Sequence, residues 1–362
     1  MLDAVFGFRL NPLMIGLGLL LAGVVVGYGG RSDRDGQFEN EPTVLVEMVR
    51  PQSVVPPEVQ LLADLEYARP NGQPLHLDLY RPEEITGPLP VVLWIHGGGW
   101  RSGSKASPPA MELVAKGYAV ASVEYRLSDV ALFPAQIEDC QAAVRWLRTH
   151  ADEFQLDARR IAAWGESSGG HLATLLGTMS HGVTHDDEVS ADVQAVVDFG
   201  GPVDFLTLDE QSSGENAVRH EEAWSPESLL VGGPIQERQE LVALANPLTY
   251  LSTDRRPPPF LVVHSRHDTV VPIRQSDQLV QALRRVGTRV QYLRVREGWK
   301  INILKPEMLD AVAEFLERHL KNGSPATEEA TAAVSERRPH PVRHWLRKAY
   351  RSSILNDARP MM

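Results

Sequence analysis

Apolar positions fall along this chain in short, regularly spaced runs of two kinds. Residues 90–97 (PVVLWIHG), 118–126 (YAVASVEYR), 160–165 (RIAAWG), 195–201 (AVVDFGG), 260–265 (FLVVHS) and 290–295 (VQYLRV) are nearly continuous apolar stretches. That is the pattern of strands buried on both faces, as in parallel sheets. Between them the spacing changes. In 135–150, Ile137, Cys140, Val144 and Leu147 recur three or four residues apart and share one helical face. Residues 171–179, 273–286 and 307–320 predict further helices. LLADLEYA and LHLDLYR, on either side of Pro70-Asn71-Gly72, predict half-buried strands around a turn. Alternating strands and helices predict an α/β fold, with a mainly parallel central sheet and helices on both faces.

Four segments break this rhythm. Leu13 to Tyr28 is an unbroken apolar run behind a lone Arg9. It is short for a spanning helix, so residues 1–30 read as a signal peptide or a membrane anchor. Residues 31–60, punctuated by Pro42, Pro51, Pro56 and Pro57, read as a linker. The α/β domain is assigned to 61–321. Within it, 206–243 is an irregular acidic excursion, either a lid or a solvated surface loop. Residues 322–362 begin with linker composition and end basic, with Trp345, Leu346, Tyr350, Ile354 and Leu355 among the cations. This tail suits either an anionic membrane surface or a flexible solubilising role.

Charge sharpens that division. The 362 residues carry a net charge of −11, which speaks against nucleic acid as a partner. Residues 336–362 hold seven basic and two acidic side chains, a local +5, so the remainder carries −16. An acidic body thus stands between an apolar leader and a basic tail. The predicted location is exported or membrane-anchored. Cys140 is the single cysteine, which excludes an internal disulfide or a cysteine-cluster metal site, and its spacing makes it a core residue.

Three loops carry candidate chemistry. Gly165-Glu166-Ser167-Ser168-Gly169-Gly170 follows a predicted strand and opens a predicted helix, the setting a nucleophile elbow requires. There the Ser167 hydroxyl stands exposed beside a helix N-terminus that favours negative charge. His96-Gly97-Gly98-Gly99-Trp100 ends another strand, and consecutive glycine N–H groups can converge on an oxyanion. Gly98, Gly99 and the N–H of Ser168 are the candidate donors, with His96 a structural residue. His264-Ser265-Arg266-His267-Asp268 follows a late strand. Asp268, C-terminal to Ser167, is placed to orient an imidazole in a Ser, Asp, His order.

Together these stretches resemble the α/β-hydrolase esterase/lipase family, in particular its hormone-sensitive-lipase-like and feruloyl- or acetylxylan-esterase-like bacterial branch. LDLYRP, VVLWIHGGGW, YAVASVEYRLS, FPAQIEDCQAAVRWLR, RIAAWGESSGGHLA and HSRHDTVVP occur in that order across roughly 61–320. The resemblance implies a serine hydrolase of small acyl or carbohydrate-linked carboxylic esters, with a small-molecule ester as its partner and no metal or organic cofactor. It also implies a histidine in a glycine-containing turn after the last strand. Lys300 occupies that position, in Glu297-Gly298-Trp299-Lys300-Ile301-Asn302, and no histidine occurs from Val270 to Arg318. Three readings stay open: a degenerate pseudo-hydrolase that binds without turnover, a substitute histidine (His267, His340 or His344), or Lys300 as a base. His171, just after the elbow, reads as packing, and His319 as surface or packing.

Overall fold

A computed structural model describes the backbone of residues 25–28, 31–32, 38–39 and 42–45, and residues 56–106, 108–179, 189–212, 218–296 and 301–322 in full. Residues up to 54 form a unit of their own. Within it β1 (Val25–Tyr28) pairs antiparallel with β4 (Pro42–Leu45), and β2 (Arg31–Ser32) with β3 (Phe38–Glu39). Most of the apolar run that suggests a leader, and all of the basic tail with His340 and His344, lie outside the described residues. Among the described residues no helix is long and apolar enough to cross a membrane.

The second unit is built on an eight-stranded sheet. Its strands are β5 (Val59–Ala68), β6 (Leu75–Pro82), β7 (Leu89–Ile95), β8 (Ala119–Val123), β9 (Leu156–Glu166), β10 (Ala195–Phe199), β11 (Phe260–Ser265) and β12 (Val290–Val295). They lie in the order β12-β11-β10-β9-β7-β8-β6-β5. From β8 to β12 all neighbours are parallel, and only the β5–β6 and β6–β8 pairs are antiparallel. The predicted strands are present at each position, as is the Pro70–Gly72 turn, where Asn71 and Gly72 take positive φ.

Edge strand β5 is irregular. Its pairing with β6 shifts between Leu62 and Leu65 and again between Glu66 and Ala68, and Asp64 sits at φ 56°. Lys105 bridges Asp64 (2.8 Å) and Asp78 (3.0 Å) there.

The sheet is covered on both faces because side chains alternate along each strand. On β9, Ile161 and Ala163 join the core beneath α1 (Ala135–Thr149), α2 (Ser168–Thr178) and α6 (Arg274–Arg285), while Ala162 and Trp164 point to the other layer with Phe315 of α7 (Pro306–Leu316). Trp164 meets Trp94 edge to face at 5.2 Å. Ile137, Cys140, Val144 and Leu147 are buried on α1, as their spacing predicts.

Two expectations need revising. The helix after the elbow starts at Ser168 rather than 171, because glycines at 169 and 170 are required for its approach to the sheet. The excursion is partly helical, with α3 (Leu208–Gln211), α4 (Pro226–Val231) and α5 (Gln239–Ala245). Of these, α4 carries its own boundaries: the Ser225 hydroxyl accepts the Ser228 N–H, Pro226 opens the first turn, and Gly232 closes it at φ 75°.

Candidate active site

Sheet order and register bring the three loops together. Ile95 is level with Gly165, and Glu166 with Phe199, so the C-terminal ends of β7, β9 and β10 form one rim with β11 beside them. Open α/β sheets bind their ligands at this edge.

Ser167 sits between β9 and α2 at φ 54°, ψ −121°, a strained conformation for a residue with a side chain. It is held there by its N–H on the Phe199 carbonyl (2.8 Å) and by its own carbonyl, which accepts the His171 N–H (3.0 Å). The turn tolerates no Cβ nearby: one on Gly165 would lie 2.1 Å from the Gly169 carbonyl oxygen, and one on Gly169 2.1 Å from that of Ile95. Ser168 opens α2, so its N–H belongs to the unpaired first turn.

The glycine loop lies directly against this elbow. A Cβ on Gly97 would be 3.5 Å from the Ser167 Cβ. Gly98, Gly99 and Trp100 follow with φ of 120°, 61° and 57°, and the Gly98 carbonyl is turned back to accept the N–H groups of Arg101 and Ser102. The Trp100 ring anchors the loop between His171 (5.3 Å) and Phe205 (5.5 Å). His96 stacks on Tyr125 at 4.4 Å and its Nδ1 lies 2.8 Å from the Gly97 carbonyl, so it supports the loop; burial lowers its pKa.

Asp268 is fixed from one side. Its Oδ1 accepts the N–H groups of Val270 (2.8 Å) and Val271 (2.9 Å), while Oδ2 faces His264 Nε2 at 3.7 Å. Asp268, Ser167, Val270, Val271 and Ile301 line a common cavity of about 40 Å³. Lys300 and the three residues before it lie outside the described residues, and Ile301 is the next residue in the chain.

His267, His171 and His319 each make contacts of their own. His267 is exposed and its Nδ1 lies 2.9 Å from the Arg296 carbonyl. His171 is buried with Nε2 2.6 Å from the Ala245 carbonyl, and burial, only partly offset by that bond, pushes its pKa down to about 4. His319 packs on Phe315 at 4.9 Å.

Two buried polar residues to which the loop motifs assign no role lie beneath the site. His264 is fully buried between Ser276 Oγ (2.7 Å) and the Val271 carbonyl (2.9 Å). Asp198 is equally buried; its Oδ1 accepts the Gly201 N–H (2.8 Å) and its Oδ2 has no partner. Burial raises the Asp198 pKa to about 7, although the Gly201 N–H and His264 oppose the rise. Both residues are visible in the sequence only as polar interruptions of apolar strands. Among the described residues, no group of three or more His, Cys, Asp or Glu is placed to hold a metal ion.

Residues 77–283, more than half of the chain, match the BD-FAE family model. The chain belongs to the BD-FAE family. Its α/β-hydrolase fold recurs in a truncated carbohydrate esterase from gut microbiota, 28% identical, with a TM-score of 0.63 over 72% of this chain and 96% of that one. A bifunctional GH43-CE protein of Bacteroides eggerthii is 33% identical, with a TM-score of 0.63 over 72% of this chain and 38% of that one. In sequence, this BD-FAE member is 33% identical to the probable carboxylic ester hydrolase LipM of Mycobacterium tuberculosis, over 61% of this chain and 51% of LipM. The chain spans about half the length of the curated relatives it matches.

Proposed function

We propose that this chain is a carboxylic ester hydrolase that works through an acyl-enzyme on Ser167. The observation that carries the reading is the strained Ser167 backbone pressed against the Gly97–Gly99 loop, with Asp268 on the same cavity. Ser167 Oγ attacks the ester carbonyl. The N–H groups of Gly98, Gly99 and Ser168 receive the negative charge that develops on the carbonyl oxygen, a contribution worth about 3–4 kcal/mol per donor in comparable sites. Collapse breaks the bond to the alcohol oxygen, which leaves with the proton that Ser167 gave up, and water then adds to the acyl-enzyme, releasing the acid and returning a proton to Ser167 Oγ. Small acyl or carbohydrate-linked esters are the proposed substrates, supported by the carbohydrate esterase among the similar structures. The apolar leader and basic tail support an exported or membrane-anchored protein.

A second reading has its own observation. Ser167 needs a base to take its proton and return it to the leaving alcohol. Lys300 replaces the family histidine, and His267, His171 and His319 are engaged away from the cavity. A chain lacking that base binds an ester and turns it over slowly.

Hydrolysis of short-chain nitrophenyl esters by the full chain, by Ser167→Ala and by Lys300→His separates the two readings. The enzyme reading expects turnover in the native chain that Ser167→Ala removes by at least ~10³-fold. An inert native chain that gains activity on Lys300→His identifies the pseudo-hydrolase. Turnover unchanged in Ser167→Ala refutes the assignment of Ser167.

A further inference from the structure

Where the excursion meets the loops of the site, the structure buries a His–Glu pair. His220 Nδ1 lies 3.0 Å from Glu227 Oε1, and His220 Nε2 lies 2.9 Å from the carbonyl oxygen of Val270. The surrounding backbone is pinned as well. Asp209 accepts the N–H groups of His220 (2.7 Å) and Glu221 (3.2 Å), and the Ser225 hydroxyl donates to the His220 carbonyl (2.7 Å).

Each end of this pair is one short step from a reacting group. Val270 donates its N–H to Asp268 Oδ1 and lines the Ser167 cavity. Glu227 follows Pro226, whose Cβ lies 3.2 Å from where a Cβ on Gly99 would stand. We propose that His220 and Glu227 form a positioning brace that ties residues 218–231 to the Asp268 turn and, through Pro226, to the oxyanion loop. This inference rests on the reading of Ser167, Asp268 and Gly99 as parts of the reacting site.

The brace works best with a charged imidazole. Both ring nitrogens face acceptor oxygens, and a neutral ring has only one N–H to offer them. Burial by itself lowers the imidazole pKa, but Glu227 on α4, Asp209 on α3 and the Val270 carbonyl outweigh it, and the net shift is upward. From the Asp268 turn, the Val270 carbonyl faces His220. A folded-state pKa above the unfolded value means that the tie contributes fully below the ordinary imidazole range and is lost as pH rises through the folded value.

The test is trypsin cleavage after the exposed Arg219 in the full chain between pH 6 and 9, with each rate normalised to an unstructured peptide. Cleavage reads the opening of this segment and is independent of Ser167 chemistry. The native chain should be protected at pH 6 and cleaved about tenfold faster at pH 9. In the isosteric Glu227→Gln the rise should shift to lower pH, and His220→Gln should be cleaved rapidly with no pH trend. Nitrophenyl ester turnover, measured in parallel, should fall in kcat with little change in KM in both variants. If His220→Gln fails to fold, as circular dichroism would report, the native pH profile and Glu227→Gln carry the test. Native cleavage that is flat with pH, or Glu227→Gln indistinguishable from native, overturns the brace. A native chain that shows the pH-dependent protection but no Ser167-dependent turnover leaves the tie standing and removes the activity it was proposed to serve.

Discussion

Asp198→Asn isolates the cost of a buried carboxyl at the floor of the site. The native side chain makes one hydrogen bond, from the Gly201 N–H, and its second oxygen has no partner. Its pKa rises from 3.8 to about 7, chiefly through burial. At about 1.4 kcal/mol per pKa unit, a shift of about three units corresponds to ~4 kcal/mol. The sign follows from proton linkage. Near pH 4 the folded carboxyl is neutral and no penalty applies. Between pH 4 and 7 the unfolded chain releases the proton while the folded chain keeps it, so stability falls. Above pH 7 the penalty is complete. Asparagine matches the shape of the neutral acid and does not titrate. Urea unfolding of native and variant chains should therefore show a difference that moves in favour of the variant from pH 4.5 to 8, by up to ~4 kcal/mol. Any cost of placing the amide in that slot is the same at every pH and leaves the trend intact. Equal differences at pH 4.5 and pH 8 would refute the argument that this carboxyl is held neutral.

The opposite trend belongs to His171. Its pKa of about 4 lies below the ordinary 6.5, so stability should be lost as pH falls from 6.5 to 4, by ~3 kcal/mol. His171→Gln should flatten that part of the curve, read by the same urea titrations, and an unchanged slope would count against it. Gly98→Ala places a Cβ 2.2 Å from the Ser102 carbonyl at φ 120°, so the loop must move. Ester kcat should fall by ~10²-fold or more, as for loss of one oxyanion donor, and the thermal midpoint should drop as well because the clash is with backbone. An unaltered kcat would remove Gly98 from the oxyanion site.

The parts of this molecule that were legible in sequence are those whose signal is local. Gly165, Ser167 and Gly169 announce a turn because only their types fit its sterics. Ile137, Cys140, Val144 and Leu147 announce a buried face because their spacing matches a helix. His220, Glu227, Asp198 and His264 carry no such mark, since their meaning comes from partners brought near by the sheet order. His220 meets a carbonyl fifty positions away, and no periodicity encodes that contact. The excursion was hard to read for a related reason. Its helices α3 and α4 are four and six residues long, too short for an amphipathic period to appear.

The bulged strand β5 has a consequence for how copies of this chain meet. A sheet edge is a template on which a foreign strand can dock and extend the ladder. Along β5 that template is broken twice, at Leu62–Leu65 and at Glu66–Ala68, and within the first break Asp64 at φ 56° turns the backbone out of line. An incoming straight strand would find an unbroken stretch only over Val59–Leu62 before losing its place, beside a row that also carries Asp64 and Glu66. The kinked edge is therefore a built-in guard against fibre growth, fixed in place by the Lys105 bridge to Asp64 and Asp78.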